Sequence, residues 1–431
     1  MRFSRRTAWD VEETRLARAL RERRESGLEV LDLTASNPTR CGFRYDKAGI
    51  LAALGDGEAL VYDPDPRGML RAREAVCRYY AERIPAGSGA VGPERIFLTT
   101  STSEAYSWVF RLLCDAGDEV LIAQPSYPLF DFLAQIEDVR LVAFPLVYDH
   151  GWQIDMAGLR ARVTERTRAI AVVHPNNPTG HFTKVEERRA LEGLCAERGL
   201  ALVVDEVFLD FGFSPHKPKE GLYGAPVLPH KPTAGLYGAP RSFATTFAAG
   251  EHPCLTFVLS GISKIAALPQ MKAAWICACG PEPDLHEALD RLEVVADTFL
   301  SMNAPVQCAL PSWLESAGAM QGQIRTRTAA NLRALDKGLA GAPAVTRLDV
   351  EAGWYAVLRV PALGSDEDLA VRLVENRGVS VHPGYFFGFP EAGWLVVSLL
   401  PEEEEFRRGV EAVCAEFRTT GDREQGVGDR V

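Results

Sequence analysis

No stretch of this sequence is apolar for the about 20 residues that a membrane-crossing helix needs. The first ten residues carry arginines but lack the apolar segment of a secretory leader. Nine cysteines are present without one Cys-x-x-Cys pair, and eight histidines without a His-x-x-x-His or His/Cys cluster. A disulfide framework and a metal site are therefore not expected, and a reducing cytoplasm suits the thiols. The nearest two cysteines, Cys277 and Cys279, would share one face of a strand. An excess of positive charge is also missing: a net charge of -11 argues against a nucleic-acid surface. What remains is ordinary for a globular protein, with 47% hydrophobic and 24% charged residues. At 431 residues the chain has room for two or three domains.

Seven short apolar runs alternate with helix-like segments, at 95–100, 119–124, 140–146, 169–174, 201–208, 255–260 and 273–279. Their length and Val/Ile/Leu content suit strands buried on both faces, and the alternation favours an α/β fold with a mostly parallel sheet. Ligands of such a sheet bind at the carboxyl ends of its strands. A charged helix at 11–26 and a short strand at 28–33 precede this region. A long helical region follows it, then strands at 354–360 and 394–399 with a helix at 366–377 between them. The expected division is an N-terminal segment 1–50 belonging to a smaller α+β domain, a large domain 51–300 and the remainder of the small domain at 301–418. A polar, glycine-rich tail at 419–431 reads as disordered. Within the large domain, residues 215–226 recur almost unchanged as 229–240. Two copies are too few for a solenoid, and their Pro/Gly content reads as a loop lengthened by tandem duplication.

The chemistry is carried by separate segments. In Ser260-Gly-Ile-Ser-Lys264-Ile-Ala-Ala-Leu-Pro-Gln-Met-Lys272 an apolar strand ends on one lysine, and a second follows eight residues later. Desolvation at a buried strand end lowers a lysine's pKa and frees its amine for Schiff-base chemistry, while the second cation can hold a phosphate. His174-Pro-Asn-Asn177-Pro-Thr-Gly180 follows a strand and can fix one amide toward a ligand oxygen. Asp205 closes the run 201–204, where a carboxylate can pair with a protonated ring nitrogen. Thr99-Thr-Ser-Thr102-Ser103 opens a helix and can cradle an anion with free N–H groups and hydroxyls. Pro125-Ser-Tyr127-Pro offers an aromatic face to a flat ring.

With these motifs in this order, the chain resembles the class I/II aminotransferases among the fold-type I enzymes that use pyridoxal 5'-phosphate (PLP), over roughly 31–400. The resemblance implies a fold-type I PLP transferase with a seven-stranded sheet in the large domain. It implies that Lys264 forms the internal aldimine and moves the proton, Asp205 meets the pyridine nitrogen, Asn177 the ring oxygen and Tyr127 stacks. Thr102 and Ser103 would cradle the phosphate with Lys272 as its cation. Tyr62, in Tyr-Asp-Pro-Asp-Pro-Arg-Gly68, matches a tyrosine that reaches the phosphate of the neighbouring subunit, so a homodimer with shared sites is implied.

Three positions depart from the family pattern. Val396 stands where an arginine usually forks onto the substrate α-carboxylate; Arg40, in Ser36-Asn-Pro-Thr-Arg40, is the expected substitute. Phe208 replaces a tyrosine whose hydroxyl would stabilise the deprotonated ring oxygen. Lys272 replaces the commoner arginine, giving a point charge without a fork. Trp354, Tyr355 and Tyr385 are expected to line the pocket. The resulting expectation is amino-group transfer between a neutral or aromatic amino acid and a 2-oxo acid. The rival readings are a PLP-dependent lyase or decarboxylase, which the missing arginine would favour, and a non-catalytic PLP-binding regulator.

Overall fold

Runs of Val, Ile, Leu and Ala flanked by polar turns become the strands of this protein, because only residues apolar on both sides can sit between two helical layers. The computed structural model describes residues 1–9, 12–83, 91–127, 129–213, 242–244, 252–300 and 302–425. The duplicated segment 215–240 lies outside the described residues. The strands in chain order are β1 (Leu31–Asp32), β2 (Ile96–Thr99), β3 (Glu119–Gln124), β4 (Arg140–Tyr148), β5 (Trp152–Ile154), β6 (Thr167–Val173), β7 (Ala201–Asp205), β8 (Thr256–Gly261) and β9 (Ala274–Cys279). They continue with β10 (Thr346–Arg347), β11 (Tyr355–Arg359), β12 (Val379–Ser380), β13 (His382–Pro383) and β14 (Trp394–Ser398).

The large sheet has eight strands in the order β2-β9-β8-β7-β6-β3-β4-β5, not seven. All seven predicted runs are in it. The addition is β5, a three-residue edge strand antiparallel to β4, too short to show a periodicity. Pairing is parallel from β8 through β7, β6 and β3 to β4 and antiparallel around β9, so only β9 and β5 oppose the other six. The predicted run 201–208 stops as a strand at Asp205, because the Asp205 carboxylate accepts the Val207 N–H at 3.0 Å and turns the chain. The predicted helix at 11–26 spans Arg15–Glu25, started by the Thr14 side chain.

One face of the large sheet packs Val172, Val204, Val258 and Cys277 in a core that continues to Phe208, Trp354 and Val396. The other packs Val203, Phe257 and Ile276 against the helices Thr102–Leu113 and Asp284–Phe299. A second sheet, β10-β11-β14-β13, has its own core of Ala356, Leu358, Leu395 and Val397 with Phe406 and Val410. Strand β1 pairs in parallel with β12 as a separate two-stranded sheet, and its Leu31 and the following Leu33 tie the N-terminal segment to the same core. The last helix, Glu403–Gln425, runs across Thr419, so the expected irregular tail starts inside a helix.

Candidate active site

The segments carrying Lys264, Asp205, Asn177, Tyr127 and Thr102 meet at one edge of the large sheet, because six strands run the same way and deliver their carboxyl ends there. Gly261 ends β8, and the single helical turn Ile262–Ile265 then presents Lys264. Its half-buried side chain brings Nζ to 5.0 Å from the Trp354 ring centroid and 5.7 Å from that of Phe208. Burial lowers the Lys264 pKa, partly countered by the Asp205 charge. Because β9 is antiparallel to β8, its start lies beside the end of β8. This places Lys272, exposed and in the left-handed region at φ 55°, on the same edge.

Asp205 is buried at the end of β7. Burial pushes its pKa up to about 6, against the Val207 N–H, the Tyr106 hydroxyl and Lys264. The Tyr106 hydroxyl donates to Asp205 Oδ2 at 3.4 Å. Tyr106 escaped the sequence reading; the available signal was its place one helical turn after Thr102, on the face that packs against the sheet.

The 174–181 turn is braced from within. Asn176 Nδ2 donates to Thr179 Oγ1 at 2.8 Å and Pro125 O at 3.3 Å. Thr179 Oγ1 lies 2.7 Å from Nδ1 of His181, a buried ring whose pKa burial lowers to about 3 and which therefore stays neutral. Gly180 sits at φ 70°, and a Cβ there would come within 2.4 Å of Ala352 O, so only glycine admits the approach. Within this turn Asn177 is buried, and its Oδ1 has no hydrogen-bond partner among the described residues. A buried amide kept unmatched is poised for a ligand.

Thr102 and Ser103 occupy the first turn of the helix Thr102–Leu113. The cap is Ser101, whose Oγ accepts the Glu104 N–H at 3.1 Å, while Glu104 Oε2 accepts the Thr100 N–H at 2.6 Å. First-turn N–H groups have no intrahelical acceptor, so those of Thr102 and Ser103 are left for an anion. Tyr127 is 45% exposed, and the preceding Ser126 N–H donates to Phe387 O at 2.9 Å. That bond brings the turn Gly384–Phe387, and Tyr385 on it, to the rim of the site. Tyr355 is buried, with the Ser36 side chain and Tyr127 close enough to influence its hydroxyl. Ser398 Oγ donates to Ala35 O at 2.6 Å. Together these fix the loop carrying Arg40, itself exposed at the end of the turn Pro38–Arg40. Tyr62 is not gathered into this cluster; it is 82% exposed, beside exposed Leu60 and Val61. Ser260, four residues before Lys264, is fully buried with an unmatched Oγ.

Next to Asp205, Glu206 points into the opposite layer. It accepts the Ser242 hydroxyl at 2.6 Å and the Phe243 N–H at 2.5 Å, and burial still pushes its pKa from 4.5 up to about 8. The folded protein therefore holds this proton more tightly than the unfolded chain. Stability is greatest below pH 4.5 for this group and falls as pH rises toward 8, by on the order of 5 kcal/mol. Thermal unfolding of Glu206→Gln against pH is expected to lack that decline, so the variant outlasts the parent above pH 8 and not at pH 5.

The residues present fit PLP: an amine of lowered pKa, a buried carboxylate, an unmatched buried amide and an open helix start converge on one edge. The fold and this edge define a fold-type I, PLP-dependent transferase. The chain belongs to the aminotransferases of class I and II, whose family model matches residues 32–413. It is 25% identical over 394 residues to the alanine aminotransferase of Mycobacterium tuberculosis (strain H37Rv), covering 89% of this chain and 85% of that one. It is also 25% identical over 290 residues to the glutamate-pyruvate aminotransferase AlaA of Escherichia coli K12, covering 67% and 64%. The solved alanine aminotransferase of Pyrococcus furiosus superposes with a TM-score of 0.82 at 22% identity, covering 97% of this chain and all of that one. An aspartate aminotransferase single mutant of Thermus thermophilus gives 0.78 at 24%, covering 96% and 100%. The protein is accordingly a PLP-dependent aminotransferase.

Proposed function

We propose that this enzyme moves an amino group between a neutral or aromatic amino acid and a 2-oxo acid, with Lys264 as both covalent anchor and proton carrier. The observation that carries the reading is the placement of Lys264, half-buried against Phe208 and Trp354, with its pKa lowered by burial and with the Asp205 charge acting on it. Bound PLP supplies an aldehyde that condenses with amines and a ring that accepts the electron pair left at the substrate α-carbon. Lys264 Nζ, neutral when its amine is free, would remove the α-proton. Asp205 would hold a positive charge on the ring nitrogen, Asn177 would bind the ring oxygen and Tyr127 would stack on the ring face. Thr102, Ser103 and Lys272 would hold the phosphate.

Trp354, Tyr355 and Tyr385 shape the substrate half, and Arg40 stands at its N-terminal side. The aromatic lining and the apolar Val396 support a neutral or aromatic donor, as do the names of the alanine aminotransferase relatives. A homodimer is supported by the exposed stretch Leu60, Val61 and Tyr62, with Tyr62 reaching the phosphate of the second copy. A reducing cytoplasm suits nine free cysteines, and among the described residues no helix is long and apolar enough to cross a membrane.

The test is a panel of amino donors with 2-oxo acid acceptors, following ammonia and pyruvate as well as the new amino acid. Amino-group recovery on the acceptor without ammonia is expected, with alanine or an aromatic amino acid among the best donors. Ammonia or carbon dioxide released in step with donor loss would favour the lyase or decarboxylase.

A further inference from the structure

The position that lacks its arginine lies on a sheet face whose other occupants are known. Along β14, Leu395 and Val397 point into the small-domain core, while Val396 joins the core that contains Phe208, Trp354 and Ile262. The β11 residues Tyr355 and Val357 share the Val396 face, whereas Ala356 and Leu358 do not. The residue directly across the ladder from Val396 on the open side is His382, and residues opposite each other project to the same face. His382 is half-buried. Its ring lies 6.4 Å from that of Tyr355, 5.9 Å from Phe386 and 5.6 Å from Phe387. Tyr355 among them is one of the residues assigned to the substrate half.

We propose that His382 supplies the cation that Val396 does not, binding the substrate α-carboxylate from the neighbouring strand with Tyr355 beside it. The assignment rests on the aminotransferase reading of this site and adds a binding residue to it. Burial lowers the pKa of the ring, and the charge of nearby Asp32 and the Thr34 backbone oppose that shift only in part. The other titratable groups around it are Tyr355, Tyr385 and the start of the helix Asp366–Arg372. There, Asp366 already accepts the Gly393 and Trp394 N–H groups, and Glu367 lies toward Tyr385. An arriving carboxylate therefore meets a neutral imidazole and draws a proton onto it, so binding is coupled to proton uptake.

The experiment uses the holoenzyme. The KM of the preferred amino donor is expected to rise with pH, approaching about tenfold per unit above the pKa of the occupied ring, with kcat nearly constant. His382→Gln is expected to raise KM about ten- to a hundredfold near pH 7 and to flatten its pH profile, while keeping kcat and the visible cofactor absorption. Calorimetry of propionate binding in two buffers of different ionisation enthalpy should show proton uptake in the parent and less in His382→Gln. A flat KM profile in the turning-over parent would overturn the assignment without any variant and leave the Lys264 reading intact. So would a normal KM in His382→Gln, equal losses in kcat and kcat/KM, or a large KM effect confined to Arg40→Ala.

Discussion

Lys264→Ala is expected to lose at least about four orders of magnitude in the rate of amino transfer, because one side chain is both the attachment point and the base. Folding should be nearly unaffected. Among the described residues Lys264 makes no ion pair, its attraction to Asp205 aside, and its side chain is flanked by Phe208 and Trp354, which pack on one another edge to face at 5.3 Å. The variant should still bind PLP through the phosphate and ring contacts but lack the visible band of a lysine Schiff base. Single-turnover spectra with an amino donor separate the two roles: condensation should still occur slowly, and α-proton removal should not. Added small amines are expected to restore part of the proton transfer. A variant retaining a tenth of the parental rate would remove Lys264 from the mechanism.

Asp205→Asn is expected to have the next largest effect. A buried carboxylate facing a ring cation forms a pair whose one-sided removal costs about 3–5 kcal/mol, or roughly 10²–10⁴-fold in rate. The neutral amide cannot hold a proton on the ring nitrogen, so α-proton removal slows while substrate binding changes little. The primary isotope effect on the α-hydrogen should therefore grow. The same substitution should stabilise the cofactor-free protein above pH 6, because a buried carboxylate only partly compensated by its hydrogen bonds is removed: burial pushes the Asp205 pKa up to about 6 from 3.8, and its charging opposes folding as pH rises through that window. Opposite signs for activity and apoprotein stability would mark Asp205 as kept for chemistry rather than for the fold.

Much of the cofactor half was legible in the sequence because each piece is local. A strand followed by a turn fixes where Asp205, Asn177 and Lys264 emerge, and parallel pairing carries all three to one edge. The parts that were not legible depend on pairing between distant segments. That Val396 joins the core containing Phe208 and Trp354 while Leu395 does not is a matter of strand register, and that His382 lies across from it requires the β13–β14 ladder. Trp354 could be named as a pocket residue, but not its 5.0 Å approach to Lys264, which depends on the Gly180–Ala352 contact between two sheets. Tyr106 was hidden in an amphipathic helix, where a buried aromatic is ordinarily core. β5 was missed because three residues carry no period. Phe208, read as the end of a strand, follows a turn that Asp205 itself creates.

The most direct measurement of the central claim is borohydride reduction of the holoenzyme followed by mass spectrometry of its peptides. A reduced cofactor adduct on the peptide containing Lys264, and on no other lysine, is the expected result. An adduct on Lys272 instead, or a holoenzyme whose cofactor washes out unreduced, would contradict it.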